Sequence, residues 1–238
     1  MLHTSTRPEL MVVLDPLTIE PDRAEVLRYL GYPAPAAAAR RMAGRLDRAL
    51  EECRGKLRPR AMYAVHRVER LTPRRLTVQG GATFTGPIGQ FLAGSTRVAV
   101  FLTTAGPEIV ALAEGATCSR DTLSGLVYDA IGSQVADAGV ERVAADLRAR
   151  LAADEALTLP YSPGYCGIPL REQRAIFRLL EARRIGLELL PALIMKPVKS
   201  VSGLIGVGPQ AAVQAAGNPC DRCQKTDCRM RRETKEAP

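Results

Sequence analysis

The spacing of apolar and polar positions predicts short strands and amphipathic helices in mixed order along the chain. Residues 11–14 (MVVL) form an apolar run ended by Asp15-Pro16. Pro21-Asp22 opens a helix over Arg23–Leu30, which Gly31 and Pro33 stop. A second helix is predicted over about Ala36–Glu52, where Met42, Ala43, Leu46, Ala49 and Leu50 recur at intervals of three and four. The basic segment Arg54–Arg60 reads as a solvated connection. Strands follow at Ala61–Val68 and Arg75–Val78, with a Gly80-Gly81 turn before Ala82-Thr83-Phe84. Gly86-Pro87 opens a short helix to Leu92. Arg97–Thr104 is apolar without a break from Val98 to Leu102, the pattern of a strand buried on both faces.

Gly106-Pro107 begins a short helix to about Glu114. The longest helix is predicted from about Arg120 to Leu151, with Ser119 as N-cap and Asp121 in its first turn. Its apolar face comprises Leu123, Val127, Ile131, Val135, Val143 and Leu147. Gly125, Gly132 and Gly139 recur at seven-residue spacing on that helix. Each costs a helix about 1 kcal/mol relative to alanine, so their recurrence predicts another element packed close against the helix backbone. Strands and helices do not alternate regularly, which places the chain in the α+β class.

The stretch from Pro160 to Pro209 carries the most local information. A proline-braced, glycine-bearing loop, Tyr161-Ser162-Pro163-Gly164-Tyr165-Cys166-Gly167, precedes a helix with Leu170, Ile176, Leu179 and Leu180 on one side. Gly186 is the predicted stop. Two β-type runs, Leu187–Met195 and Ser200–Val207, flank the basic turn Lys196-Pro197-Val198-Lys199. The order SPGY, helix, M-x-P-x-x-SVSG resembles the S-adenosylmethionine-binding activation domain of cobalamin-dependent methionine synthase, and still more the small stand-alone proteins related to it. The matching residues are Ser162 to Tyr165, Met195, Pro197 and Ser200 to Gly203.

That resemblance implies a curved, helmet-like α+β fold with a twisted antiparallel sheet and long helices. It implies that Ser162, Pro163, Gly164 and Tyr165, with Ser202 and Gly203, form a cleft for S-adenosylmethionine. Asp137 or Glu141 on the long helix would then face the ligand's amino group. Two positions depart from the family pattern: Pro160 stands where an arginine would pair with the ligand carboxylate, and Ile205-Gly206 stands where an aromatic pair follows SVSG. Loss of a charge-assisted contact of that kind removes about 2 kcal/mol. Arg171 and Arg174 are the substitutes the sequence offers.

Composition adds a basic balance: 33 Lys and Arg against 25 Asp and Glu give a net charge of +8, which favours anionic partners. Only 4% of residues are aromatic and no RNA-binding or helix–turn–helix signature is present, which speaks against nucleic acid as the partner. No apolar run reaches the roughly 18 residues of a membrane span, and the N-terminal residues lack a secretory core, so a cytoplasmic protein is expected. In such a compartment, Cys220, Cys223 and Cys228, spaced C-x2-C-x4-C, signal a metal. Zinc and iron–sulfur centres usually take four ligands. Cys166 is the foremost fourth candidate, with Cys118 and Cys53 behind it, and an open or partner-supplied position is the alternative. An iron–sulfur cluster is favoured over zinc because the family resemblance calls for reductive support of a corrinoid enzyme.

The expected organisation is an activation-domain-like unit over residues 1–217 and a Cys-rich metal-binding tail over residues 218–238. The expected function is that of an accessory protein for reductive activation and remethylation of cobalamin-dependent methionine synthase or a related corrinoid methyltransferase. Cobalamin would be met only through that partner, and the electron donor stays open. The chain is read as an activation component, since nothing in it resembles a homocysteine, folate or cobalamin module. The alternatives are a basic, zinc-stabilised binding module for nucleic acid or an acidic protein, and an independent methyltransferase.

Overall fold

The computed structural model describes residues 8–32 and 40–215. The cysteines of the C-terminal motif, the boundary expected at residue 217 and the first residues of the second predicted helix lie outside that range. Nine strands are described: β1 (Leu10–Leu14), β2 (Arg60–Thr72), β3 (Arg75–Val78), β4 (Thr83–Thr85), β5 (Arg97–Thr104), β6 (Glu155–Leu157), β7 (Glu188–Leu189), β8 (Met195–Lys196) and β9 (Ser200–Pro209). Among them run seven helices: α1 (Arg23–Tyr29), α2 (Arg40–Cys53), α3 (Ile88–Phe91), α4 (Pro107–Cys118), α5 (Thr122–Arg148), α6 (Gln173–Leu179) and α7 (Gln210–Gln214).

Seven strands form one antiparallel sheet in the order β4-β3-β2-β5-β9-β6, with β1 beside the first half of β2. The 13-residue β2 serves two neighbours on one edge. Its residues 61–65 pair with β1, and its residues 68–72 pair with β3 after a register shift between Val68 and Arg70. Such a bulge bends the strand and increases its twist, which turns the β3–β4 end away from the main plane.

β5 is the centre of the molecule. Val98 to Leu102 are all fully buried, as the unbroken apolar run predicts. Alternate residues serve opposite layers. Val98, Val100 and Leu102, with Met62, Ala64 and Leu204, face α3, α6 and the turn around Ile185. Ala99 and Phe101, with Ala61, Tyr63 and Ile205, face Val140, Val143, Ala144 and Leu147 of α5. A fully buried side chain of this size contributes about 1.5–3 kcal/mol.

Nearer the start of α5, Val127, Ile131 and Val135 pack with Val26 and Leu27 of α1, Leu46 of α2 and Ile109 of α4. The glycine series on α5 marks close packing, with a different neighbour at each step. A Cβ on Gly125 would lie 2.5 Å from Thr117 Oγ1, one on Gly132 2.8 Å from Lys199 Cγ, and one on Gly139 3.0 Å from Thr103 Cβ. Lys199 lies along this helix because its Nζ reaches Asp129 Oδ1 at 2.6 Å and Ser133 Oγ at 3.0 Å.

Some expectations change. Asp121, and not Ser119, caps α5: its carboxylate accepts from Ser124 N and pairs with Arg45 Nη1 at 2.7 Å, while Ser119 ends α4. Leu123, placed on the apolar face by spacing, is 50% exposed, because the helix packs inward only from Gly125 onward. The run Leu187–Met195 forms only the ends of a two-stranded hairpin, β7 and β8, separated by a turn in which Leu193 N–H donates to Leu190 O. β6 gave no apolar signal, being a three-residue edge strand held by β9.

Candidate functional site

The loop after β6 is fastened at both ends. Tyr161 makes a bridge to Leu204 of β9, and its ring stacks on Phe91 at 4.9 Å between centroids. Downstream, Ile168 is buried in the core. Between these points the chain turns tightly: Tyr165 N–H donates to Ser162 O at 3.2 Å, Ile168 N–H to Tyr165 O at 2.9 Å, and Gly164 N–H to Ile168 O at 2.8 Å. The turn needs positive φ at Gly164 (91°) and Gly167 (77°), and places Cys166 at 51°. A non-glycine residue there is uncommon and marks a position the surroundings hold in place.

The loop forms one wall of a cleft of about 370 Å³. The opposite wall comes from Asp137 and Val140 on α5 and from Ser200, Val201 and Ser202 on β9, with Met195 and Gln173 beside them. Ser162, Pro163, Tyr165, Cys166 and Ser202 all line this cleft. Tyr165 stands at its rim, 63% exposed. Leu170, placed on a buried stripe by spacing, is also 44% exposed and contributes to the same wall, because the chain starts this segment as a single 3-10 turn at Leu170–Glu172.

Other expected residues fall elsewhere. Gly164 is exposed and outside the lining. Gly203 is buried within β9, where its role is steric: a Cβ there would lie 2.5 Å from Tyr161 O and 2.6 Å from the Phe101 ring. Glu141 is exposed one turn beyond Asp137, and Asp137 is the carboxylate in the lining. Pro160 lines the cleft, and among the described residues no lysine or arginine does. Arg174 is exposed outside it, and Arg171 lines a second concavity.

The polar groups of the cleft are one carboxylate, Asp137, and hydroxyl, thiol and amide groups that can donate as well as accept. Asp137 Oδ2 accepts a hydrogen bond from Tyr29 OH, which ties α1 to the cleft wall. Burial, reinforced by this carboxylate, pushes the Tyr29 phenol above its usual pKa, so it stays a donor. Ser202 Oγ and Gln173 Oε1 are buried, at 2% and 5% residue exposure, with no hydrogen-bond partner among the described residues. An unpaired buried polar atom costs about 1–3 kcal/mol, and a ligand that supplies the missing partners recovers it. The remaining walls are apolar: Val140, Leu159, Pro160, Pro163, Leu170 and Met195. Tyr29 and Gln173 had no signal in the sequence, because each reaches the site only through the packing of α1 and α6.

Among the thiols, Cys166 lines this cleft. Cys53 is buried among α1, α2 and α5, and burial pushes its thiol up to about 11, away from thiolate ligation. Cys118 is exposed at the end of α4. Among the described residues no group of three His, Cys, Asp or Glu side chains is arranged to hold a metal, and Cys220, Cys223 and Cys228 lie outside them. Among the described residues no helix is long and apolar enough to cross a membrane.

An antiparallel sheet covered by helices on both faces, with a mainly apolar cleft between a β-strand, a long helix and a proline-braced loop, defines an α+β domain. The chain belongs to the family described as vitamin B12 dependent methionine synthase, activation domain, which it matches over residues 90–233. Its fold is similar to that in a crystal structure of the MetH reactivation domain bound to AdoHcy. The TM-score is 0.65 at 16% identity, covering 87% of this chain and 82% of that one. No curated protein matches the sequence.

Proposed function

We propose that this protein supports the reactivation of cobalamin-dependent methionine synthase or a related corrinoid methyltransferase, and that its cleft takes S-adenosylmethionine. The observation that carries this reading is the cleft itself. Within a chain of this family, it lies between Ser162–Tyr165 and Ser200–Ser202, segments that resemble the family's SPGY and SVSG and fall inside the matched residues 90–233. In this proposal the ligand supplies an electrophilic methyl group, and the chain's own residues bind and orient it. Asp137 accepts from the ligand's amino group, held in place by Tyr29. Ser202 Oγ and Gln173 Oε1 meet the polar edges of the nucleoside. The apolar walls and Tyr165 cover the purine. With Pro160 in the lining and no lysine or arginine there among the described residues, the ligand carboxylate stays in solvent at the mouth.

For the C-terminal cysteines, we propose that Cys220, Cys223 and Cys228 hold an iron–sulfur cluster, or alternatively zinc, with Cys166 as the fourth thiol. Cys166 is half-buried on the cleft wall, so closure of the set would bring the tail over the ligand. The cluster would supply electron relay to the partner's corrinoid. The partner is a corrinoid protein in this reading, and the exposed rim residues Tyr165 and Leu170 give it an apolar contact.

The test combines binding and rescue. Titration calorimetry with S-adenosylhomocysteine is expected to give one site per chain, lost in Asp137→Ala. Methionine synthase stalled as Co(II), mixed with the protein, a reductant and S-adenosylmethionine, is expected to regain turnover. No heat of binding, and no recovery with any electron source, would overturn the proposal.

A further inference from the structure

A second concavity, of about 490 Å³, adjoins the loop that walls the first. It differs in chemistry. Arg70, Arg74, Arg75 and Arg171 line it, with Thr72, Thr85 and the glycines Gly86 and Gly167. These groups come from separate parts of the chain. Arg70 and Thr72 lie two apart on β2 and so share a face. Arg74 sits in the tight turn between β2 and β3, and Arg75 begins β3 opposite Thr72. Arg171 arrives from the 3-10 turn nearly a hundred residues later.

The site is built, and not a by-product of a basic composition. Glu172 is only 6% exposed, accepts from Thr85 Oγ1 at 2.5 Å and lies 3.7 Å from Arg171 Nε, so one buried carboxylate fastens the 3-10 turn to β4. Gly86 lets the two segments touch: a Cβ there would lie 2.9 Å from Pro169 Cδ and 3.1 Å from Gly167 O. Arg70, Arg74 and Arg75 make no ion pair among the described residues. Four guanidinium groups around one hollow, of which only Arg171 is partly offset by Glu172, repel one another, and a multivalent anion removes that repulsion.

We infer that this hollow binds the oligophosphate group of a small molecule. Guanidinium forks match phosphate oxygens two at a time. The hollow exceeds what a single phosphate fills, and four positive charges suit the charge of a tri- or diphosphate chain. Among the described residues no acidic side chain and no aromatic ring lines it, so recognition rests on the phosphates and not on a base. Because residues 165–171 wall both concavities, an anion held by Arg171 also steadies the loop of the first cleft.

Calorimetry on the full chain with inorganic triphosphate, at near-physiological salt, is the test. One saturable site per chain is expected. Affinity should fall tenfold or more in Arg75→Ala and in Arg171→Ala, and measurably in Arg171→Lys, which keeps the charge and loses the fork. The exposed Arg178, outside the hollow, is the control, and Arg178→Ala should bind as the parent does. Circular dichroism melting of each variant separates lost binding from lost folding, and these exposed arginines should leave the melt unchanged. ATP that binds at least as tightly as triphosphate adds support. Absence of a saturable site, equal weakening by Arg178→Ala, or binding confined to long polyanions such as heparin or an oligonucleotide would overturn the inference.

Discussion

Tyr161 and Leu204 exchange two backbone hydrogen bonds, Tyr161 N–H to Leu204 O at 2.9 Å and Leu204 N–H to Tyr161 O at 2.8 Å. This single bridge fastens the start of the cleft loop to β9, and Gly203 makes room for it. The bridge therefore controls both the fold and the width of the cleft.

Gly203→Ala should be destabilising by about 1–3 kcal/mol, since the new methyl meets backbone on one side and the fully buried Phe101 ring on the other. Gly44→Ala, within α2 and with open space around the added atom, should stabilise by about 0.5–1 kcal/mol. Urea midpoints measure both. A harmless Gly203→Ala would show that the bridge has slack.

Tyr29→Phe removes the donor to Asp137 and should cost about 1 kcal/mol of stability. It should also weaken binding of S-adenosylhomocysteine by a few-fold, because Asp137 loses its orientation. Asp137→Ala should weaken binding more, while Glu141→Ala should leave it unchanged. Calorimetry on the three variants ranks them, and a larger effect at Glu141 would reassign the carboxylate.

The acid side of the stability profile should have two parts. Burial lowers the His66 pKa below its ordinary 6.5, partly offset by the Gln79 backbone. The unfolded chain then takes up a proton that the folded chain refuses, so stability falls as pH drops below about 6.5. Glu155, held low by Arg97, and Asp146, held low by Arg150 and Tyr63, add stability that is complete above pH 4.5 and lost below it. Denaturant melts across pH should show both declines, and His66→Leu should flatten only the upper one.

Cys166→Gly separates conformation from chemistry. Glycine accepts the φ of 51° without strain, so the variant should melt within about 1 kcal/mol of the parent. Any metal content or reductive activity that depends on the thiol should fall. Unchanged metal content after anaerobic preparation would remove Cys166 from the ligand set.

Much was legible in the sequence because local rules decide it. The unbroken apolar run from Val98 to Leu102 marks an interior strand, and the three glycines of α5 mark close neighbours. The SPGYC loop is legible for the same reason: proline and glycine restrict the backbone whatever surrounds them. Tertiary structure alone decided which groups meet. Asp137 and Glu141 are one helical turn apart and indistinguishable by pattern, and only the contact of α5 with β9 puts the first in the cleft. Arg171 is one substitute the sequence offers for the residue missing at Pro160, but the 3-10 turn places it in another hollow with Arg70, Arg74 and Arg75. Sequence spacing governs neighbours along one element, whereas a site assembled from four elements depends on how their faces pack, and that information is not local.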